Sequence, residues 1–246
     1  MKTRSSVRYI FIFILFFALW EVGSAVWKNP ILPSPAAVLL NLKEKFLPKI
    51  AIHAALSAYR IAAGLVLSVL IGSVLGLLMG YYDSIDRILS PLIYFTYPIP
   101  KISLLPVVMI LFGLGETSKI TMIVIISVFQ VIITARDTVK NIPKETYYSL
   151  KSLGADDRTV FREVILPAAL PELLTAIKLS AGTAASVLFF TESFGTTLGM
   201  GYLIMDSWMR VNYLDMYSGI LVLSLMGMLI FLSVDALYMK FCRWKR

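Results

Sequence analysis

Between Arg60 and Asp83 stand 22 consecutive residues without a charge, Ile61 to Tyr82. A helix needs about 20 mostly apolar residues to cross the hydrocarbon core of a bilayer. Runs of comparable character recur along the chain, separated by short charged or Pro/Gly-rich stretches. With 58% hydrophobic and only 15% charged residues and a mean hydropathy of +0.80, the chain is too apolar for a soluble domain of this size. A closed barrel would show ten-residue alternation instead. The expected fold is therefore all-α, a polytopic membrane bundle of about six transmembrane helices.

The expected spans are Tyr9 to Trp27, Ala55 to Tyr81, Leu89 to Phe112, Ile120 to Thr138, Leu170 to Phe190 and Met216 to Tyr238. Lys and Arg accumulate on the cytoplasmic side of membrane proteins. Placing both termini inside puts fourteen of the 23 Lys and Arg residues there and six outside. The net charge of +8 thus reads as an orientation signal, not as a nucleic-acid surface, because the basic residues form no single patch. Residues 1–27 form an N-terminal signal-anchor helix, with a cleaved signal peptide as the competing reading. Residues 28–54 form an outer interfacial segment in which Ala36 to Ile52 makes a mixed apolar and basic helix. Residues 55–246 form a core of five spans.

Within the second span, Gly64, Ser68, Gly72, Gly76 and Gly80 recur every four residues. Small side chains let another backbone approach closely, so this ridge predicts helix packing, within the chain in preference to a dimer contact. Four-residue steps drift by about 40° each around a 3.6-residue helix, so one partner need not cover the whole ridge.

The long inside connection, residues 141–167, holds four of the fourteen inside basic residues, with Arg136 and Lys140 just before it. Pro143 and Glu145 suit the first turn of a helix running through Leu153. Gly154 suits its end, and Asp156 or Asp157 suits the cap of a second helix reaching about Leu166. Pro167 is expected to stop that helix and to push Leu166 towards extended backbone.

Tyr148-Ser149-Leu150-Lys151-Ser152-Leu153-Gly154, then nine residues, then Val164-Ile165-Leu166-Pro167, resembles the cytoplasmic signature of ABC-importer permeases, which reads E-A-A, three residues, G, nine residues, I, one residue, L-P. Gly154, Leu166 and Pro167 match; Tyr148, Ser149 and Leu150 replace the E-A-A residues, and Val164 stands for Ile. Ser57-Ala58-Tyr59-Arg60, Pro98-Ile99-Pro100-Lys101 with Leu104-Leu105-Pro106, Phe112-Gly113-Leu114-Gly115-Glu116 and Gly199-Met200-Gly201-Tyr202-Leu203-Ile204 are similar to the nitrate/sulfonate/taurine-type members.

The resemblance implies the MetI-like permease fold. It makes the loop, with Tyr148, Ser149, Leu150, Leu153, Gly154, Ala155, Val164, Leu166 and Pro167, the docking element for an ATPase. It also implies two ABC ATPase subunits that bind the ATP, an extracytoplasmic substrate-binding protein, a homodimer of permeases in a prokaryotic inner membrane, and a solute such as nitrate, a sulfonate, taurine or a thiamine-precursor pyrimidine.

No cofactor is expected on this chain: no G-x-x-x-x-G-K-[ST] motif occurs, and one histidine and one cysteine cannot build a multi-Cys zinc site or H-E-x-x-H. His53 reads as an interfacial residue. Ionisable residues inside spans mark pathways or paired sites, or else snorkel to the headgroups. Arg60, Lys101, Lys178 and Glu192 are of this kind, with Arg60 and Glu192 placed near the outer face and Lys101 and Lys178 nearer the inner. Ser180, Thr183 and Ser186 give the fifth span a small polar face for a pathway. The rival function is an ion-coupled carrier or channel working without an ATPase.

Overall fold

The computed structural model describes the backbone of residues 2–245 and the side chains of residues 11, 12 and 14–244. Its principal elements are α1 (Lys2–Trp27), α2 (Pro35–Lys45), α3 (Ala51–Tyr81), α4 (Asp83–Thr96), α5 (Leu105–Phe112), α6 (Glu116–Lys140), α7 (Lys144–Ser152), α8 (Asp157–Val160), α9 (Leu166–Glu192), α10 (Met200–Met209) and α11 (Tyr213–Phe241). Among the described residues, four helices are long and apolar enough to cross a membrane, or five if the bent α4 and α5 pair counts as one. The first expected span lies in α1, and the side chains of its Tyr9, Ile10 and Phe13 lie outside the described residues.

The core is a parallel pair, α3 beside α6. A Cβ added at Gly64 would meet Ile123, at Gly72 Val131, at Gly76 Ala135 and at Gly80 Val139, each within 2.8 Å. The register between the two helices is constant at 59 residues, so a single partner follows the ridge from end to end. At Gly76 the obstacle includes the Ile132 carbonyl oxygen at 2.5 Å, so the backbones are in contact there and no rotamer change makes room. Ser68 is fully buried in the same stripe and its hydroxyl donates to the Gly64 carbonyl at 2.7 Å. That bond satisfies a polar group that hydrocarbon would leave stranded. α9 packs over α3 and α6, and α11 lies outside it against α2, α9 and α10.

Three expectations about helix continuity are corrected. The span Leu89 to Phe112 is interrupted: α4 ends at Thr96, a 3₁₀ turn covers Lys101–Leu104, and the two halves are bent by 86°. Pro98 and Pro100 each lack a backbone N–H, and Pro100 stands extended at φ −66°, ψ 90°. Conversely, Pro167 does not stop the helix that enters it. Residues Phe161–Ile165 form a π-helical turn in which the Leu166 N–H donates to the Phe161 carbonyl, and Leu166 stays helical at φ −61°, ψ −49°. The wider turn places Pro167 in the first turn of a new α-helical register, where its missing N–H leaves no bond unmade. Asp157 to Glu192 is consequently one helical stretch of 36 residues.

The same device, a π turn at Phe46–Ile50 around Pro48, joins α2 to α3 in a stretch of 47 residues. At 1.5 Å per residue that is about 70 Å, far more than a bilayer about 40–45 Å thick. α2 runs on into α3 as one helical stretch and does not stand as a separate helix.

Substituting Gly76→Val is expected to lower the unfolding midpoint of the detergent-solubilised protein by an overpacking penalty of about 1–3 kcal/mol or more. Gly227→Val, at a position where an added Cβ meets nothing within 4 Å, is expected to leave the midpoint unchanged. Thermal unfolding followed by circular dichroism compares the two.

Candidate functional site

At one end of the bundle the chain between α6 and α9 forms a projecting loop. α7 closes in a Schellman arrangement: the Ala155 N–H donates to the Leu150 carbonyl at 3.1 Å and the Gly154 N–H to the Lys151 carbonyl at 3.0 Å. Gly154 sits at φ +81° with open space around its α-carbon, so conformation and not crowding calls for glycine there. Asp156 caps α8 by accepting the Thr159 N–H at 2.9 Å. Bonds from Thr159 hold the exposed Asp156 carboxyl below the usual carboxylate range.

The loop is fastened to the bundle on one side only. Tyr81 donates to Asp157 at 2.7 Å, and Val160 and Ile165 are fully buried. Leu150, Ala155, Val164 and Pro167 are half-buried. The other side is open: Leu153 is 86% and Tyr148 64% exposed, with Ser149 and Gly154 beside them. Leu166 is also exposed, but on the continuing helix and not at a loop end.

Arg60, on α3 at the far end of the bundle, is buried and fully engaged. Its Nε and Nη2 donate to the Glu116 carboxylate at 2.6 and 2.5 Å, and its Nη1 donates to Glu192 Oε1 at 2.6 Å and to the Leu198 carbonyl at 2.9 Å. Glu192, fully buried at the last residue of α9, also accepts from the Ser57 hydroxyl at 2.8 Å and from the Gly201 N–H at 2.9 Å. The Met200 N–H donates to Ser57 at 2.8 Å, and the Gly199 N–H donates to His53 Nδ1 at 3.0 Å. Gly199 stands at φ +127°, and a Cβ there would run into the Glu192 carboxylate. Four helices, α3, α6, α9 and α10, therefore meet on one guanidinium and one carboxylate.

These contacts overturn the snorkelling reading of Arg60 and Glu192: both are inside the protein, and they pair with each other. His53 is likewise buried against Gly199 and is not an interfacial side chain. Lys178 pairs closely with Asp235 of α11 and lies over the Phe231 ring. Ser180 is buried, with its hydroxyl 3.3 Å from Gln130, whereas Thr183 and Ser186 are exposed. The structure therefore divides that candidate pathway set.

Sequence reading passed over Glu116, Ser57, Asp235, Asp86 and Asp215 as charge or hydrogen-bond partners. Asp86 takes a bidentate grip from Arg136 at 2.5 and 2.9 Å and a close contact from Lys140 at the loop end. Asp215 takes Lys45 and Lys49, each at 2.7 Å. The available signal was depth: opposite charges that a topology places at one level of the membrane have strong reason to pair.

Arg60→Met is expected to cost about 3–5 kcal/mol, because it leaves a buried Glu192 uncompensated. The double substitution Arg60→Met with Glu192→Gln is expected to cost less than the sum of the two single changes. Chemical unfolding in detergent measures all three.

Three comparisons with known proteins agree with this architecture. Residues 68–244 match the family described as binding-protein-dependent transport system inner membrane component. The taurine transport system permease protein TauC of Escherichia coli is 32% identical over 94% of this chain and 86% of its own length. The putative aliphatic sulfonates transport permease protein SsuC of Bacillus subtilis is 30% identical over 93% of this chain and 84% of its own. The formylaminopyrimidine transport permease protein ThiX of Halalkalibacterium halodurans is 25% identical over 95% and 94%. An inward-facing structure of the MetNI methionine ABC transporter superposes with a TM-score of 0.62 over 74% of this chain and 93% of that one, at 20% identity, a likeness of fold. The chain belongs to the binding-protein-dependent transport system inner membrane components and is a multi-pass permease subunit of an ABC importer.

Proposed function

We propose that two copies of this chain form one translocation pathway in a prokaryotic cell membrane, with both termini in the cytoplasm. Two ABC ATPase subunits bind the ATP and seat on the α7–Gly154–α8 loops, and this chain carries no cofactor of its own. An extracytoplasmic binding protein delivers the solute at the end that holds Arg60 and Glu192. Residues 28–54 lie on that outer side and residues 55–246 form the transport core.

The observation that carries this reading is mechanical. α8, the π turn and α9 form one helical stretch of 36 residues from Asp157 to Glu192, about 54 Å long. One end is the loop with its exposed Leu153 and Tyr148; the other is the carboxylate on which four helices converge. A push on the loop by a closing ATPase pair is thereby delivered to the opposite end of the bundle as a rigid-body movement. An exposed leucine and tyrosine on a stiff, basic-flanked turn are suitable anchors for a groove on such a partner. Among candidate solutes, sulfonates and taurine come first, because the relatives at 30% identity or more bear those names; nitrate and thiamine-precursor pyrimidines follow.

The test is a reconstituted complex of permease, ATPase and binding protein in proteoliposomes. Leu153→Glu is expected to weaken ATPase binding roughly 30-fold, as loss of a central apolar anchor does, and to abolish ATP-driven uptake while the permease still purifies as a folded protein. Coupled uptake that persists after Leu153→Glu and Gly154→Pro together speaks against the docking role. Uptake by the purified permease with no ATPase present supports the carrier or channel reading in its place.

A further inference from the structure

The bend between α4 and α5 leaves irregular backbone that the rest of the chain does not bury: Tyr97, Pro98, Ile99, Pro100, Ile102 and Ser103 are exposed and Lys101 is half-buried. α4 has 14 residues and rises about 21 Å from its acidic first turn to the break, less than the roughly 30 Å of a hydrocarbon core. Non-helical backbone at that depth is tolerated where protein buries it or where it lines a water-filled space. Here it lines an open cavity of about 430 Å³ together with Ile126 and Gln130 of α6 and Thr183 of α9, within the usual range of small-molecule pockets of roughly 300–1,000 Å³.

Lys101 is in this cavity. Its ammonium donates to the Tyr97 carbonyl at 2.8 Å and lies 4.8 Å from the centre of the Phe129 ring and 5.1 Å from that of Tyr97. No ion-pair partner holds it among the described residues, whereas Arg60 has Glu116 and Glu192, Arg136 and Lys140 have Asp86, and Lys178 has Asp235. Lys119, also buried, is held by the Leu114 and Gly115 carbonyls. Gln130 accepts the Ser180 hydroxyl on Oε1 at 3.3 Å, which directs its recognition capacity to the amide N–H₂ donors. An ammonium with donors to spare and an amide N–H₂ form a donor-rich, positively charged lining, which matches an oxyanion and repels a cation. With one carbonyl and two ring faces but no carboxylate, the Lys101 ammonium keeps its charge uncompensated and donors free for an anion.

We infer that this cavity is an intramembrane station for the anionic oxo group of the transported solute, a sulfonate or carboxylate, with Lys101 as its ion partner and Gln130 as a hydrogen-bond donor. The inference rests on the permease reading above and adds the site and the charge of the ligand. The interrupted helix supplies the opening, α6 the amide and α9 the small wall at Thr183.

The experiment uses the reconstituted complex with taurine and ethanesulfonate as probes, measuring ATP-driven uptake against probe concentration. Lys101→Met is expected to raise the KM for both sulfonates roughly tenfold or more, because one charge-assisted contact is lost. Lys101→Arg, which keeps the charge, is expected to stay within about threefold. Gln130→Leu is the second variant and is expected to raise KM in the same direction, so the inference stays testable if Lys101→Met fails to assemble.

An unchanged KM in Lys101→Met, or in Gln130→Leu where that is the variant recovered, overturns the site while leaving the permease reading intact. A wild-type complex that drives neither sulfonate overturns the assignment of a sulfonate solute to this station. The same series is run in vesicles of phosphatidylcholine alone and with phosphatidylglycerol added. A Lys101→Met defect that appears only with phosphatidylglycerol assigns the anion to a lipid headgroup and overturns the solute station.

Discussion

Two apolar helices in lipid gain nothing from expelling water between them, so α3 and α6 hold together through van der Waals contact, and that contact needs the backbones to come close. Gly64, Gly72, Gly76 and Gly80 provide it at a fixed register of 59 residues over the length of the pair. The facing residues, Ile123, Val131, Ala135 and Val139, are all buried. This parallel pair sets the level of everything attached to it: the N-terminal half of α3 brings Arg60 beside Glu116 at the start of α6, and the C-terminal ends of both helices bring Asp86 within reach of Arg136 and Lys140.

The two ends of the pair are finished differently. At the far end Arg60 and Glu192 are buried and every nitrogen and carboxylate oxygen of the two is bonded, which fixes α9 and α10 against α3. At the loop end the ion pairs are part-exposed, and one side of the loop is left open with Leu153 and Tyr148 uncovered. Buried charge networks tolerate little displacement of their members, because an unmatched charge in a low-dielectric interior is costly. One helical stretch, Asp157–Glu192, joins the open loop to the tight network. The π turn carries this helix past Pro167 without a break.

Much of the molecule was legible in the sequence. Hydrophobic run length gave the membrane bundle, four-residue spacing of small residues gave a packed stripe, and Gly154 with its flanks gave a turn between two short helices. Each of these depends on local chemistry: the cost of polar backbone in lipid, the volume of a side chain, and the ease with which glycine takes a positive φ. The misreadings of helix continuity have one origin too. Pro167 and Pro98 look alike in a sequence, yet one is passed by a π turn and the other opens an 86° bend, because a proline removes a single donor and the surrounding packing decides whether the backbone goes round it or breaks.

The sequence by itself determined which segments must lie in the membrane, where close helix contact is possible and where the chain must turn, since these follow from interactions within a few residues. The tertiary structure decided which charges meet. Arg60, Glu116 and Glu192 are separated by 56 to 132 residues, and Lys101 shares a cavity with Gln130 and Thr183 from two other helices. Ion pairs and cavities depend on distance in space, and in this chain that distance is set by the parallel register of α3 on α6 and by the break at Pro98–Pro100. No local pattern encodes either of them.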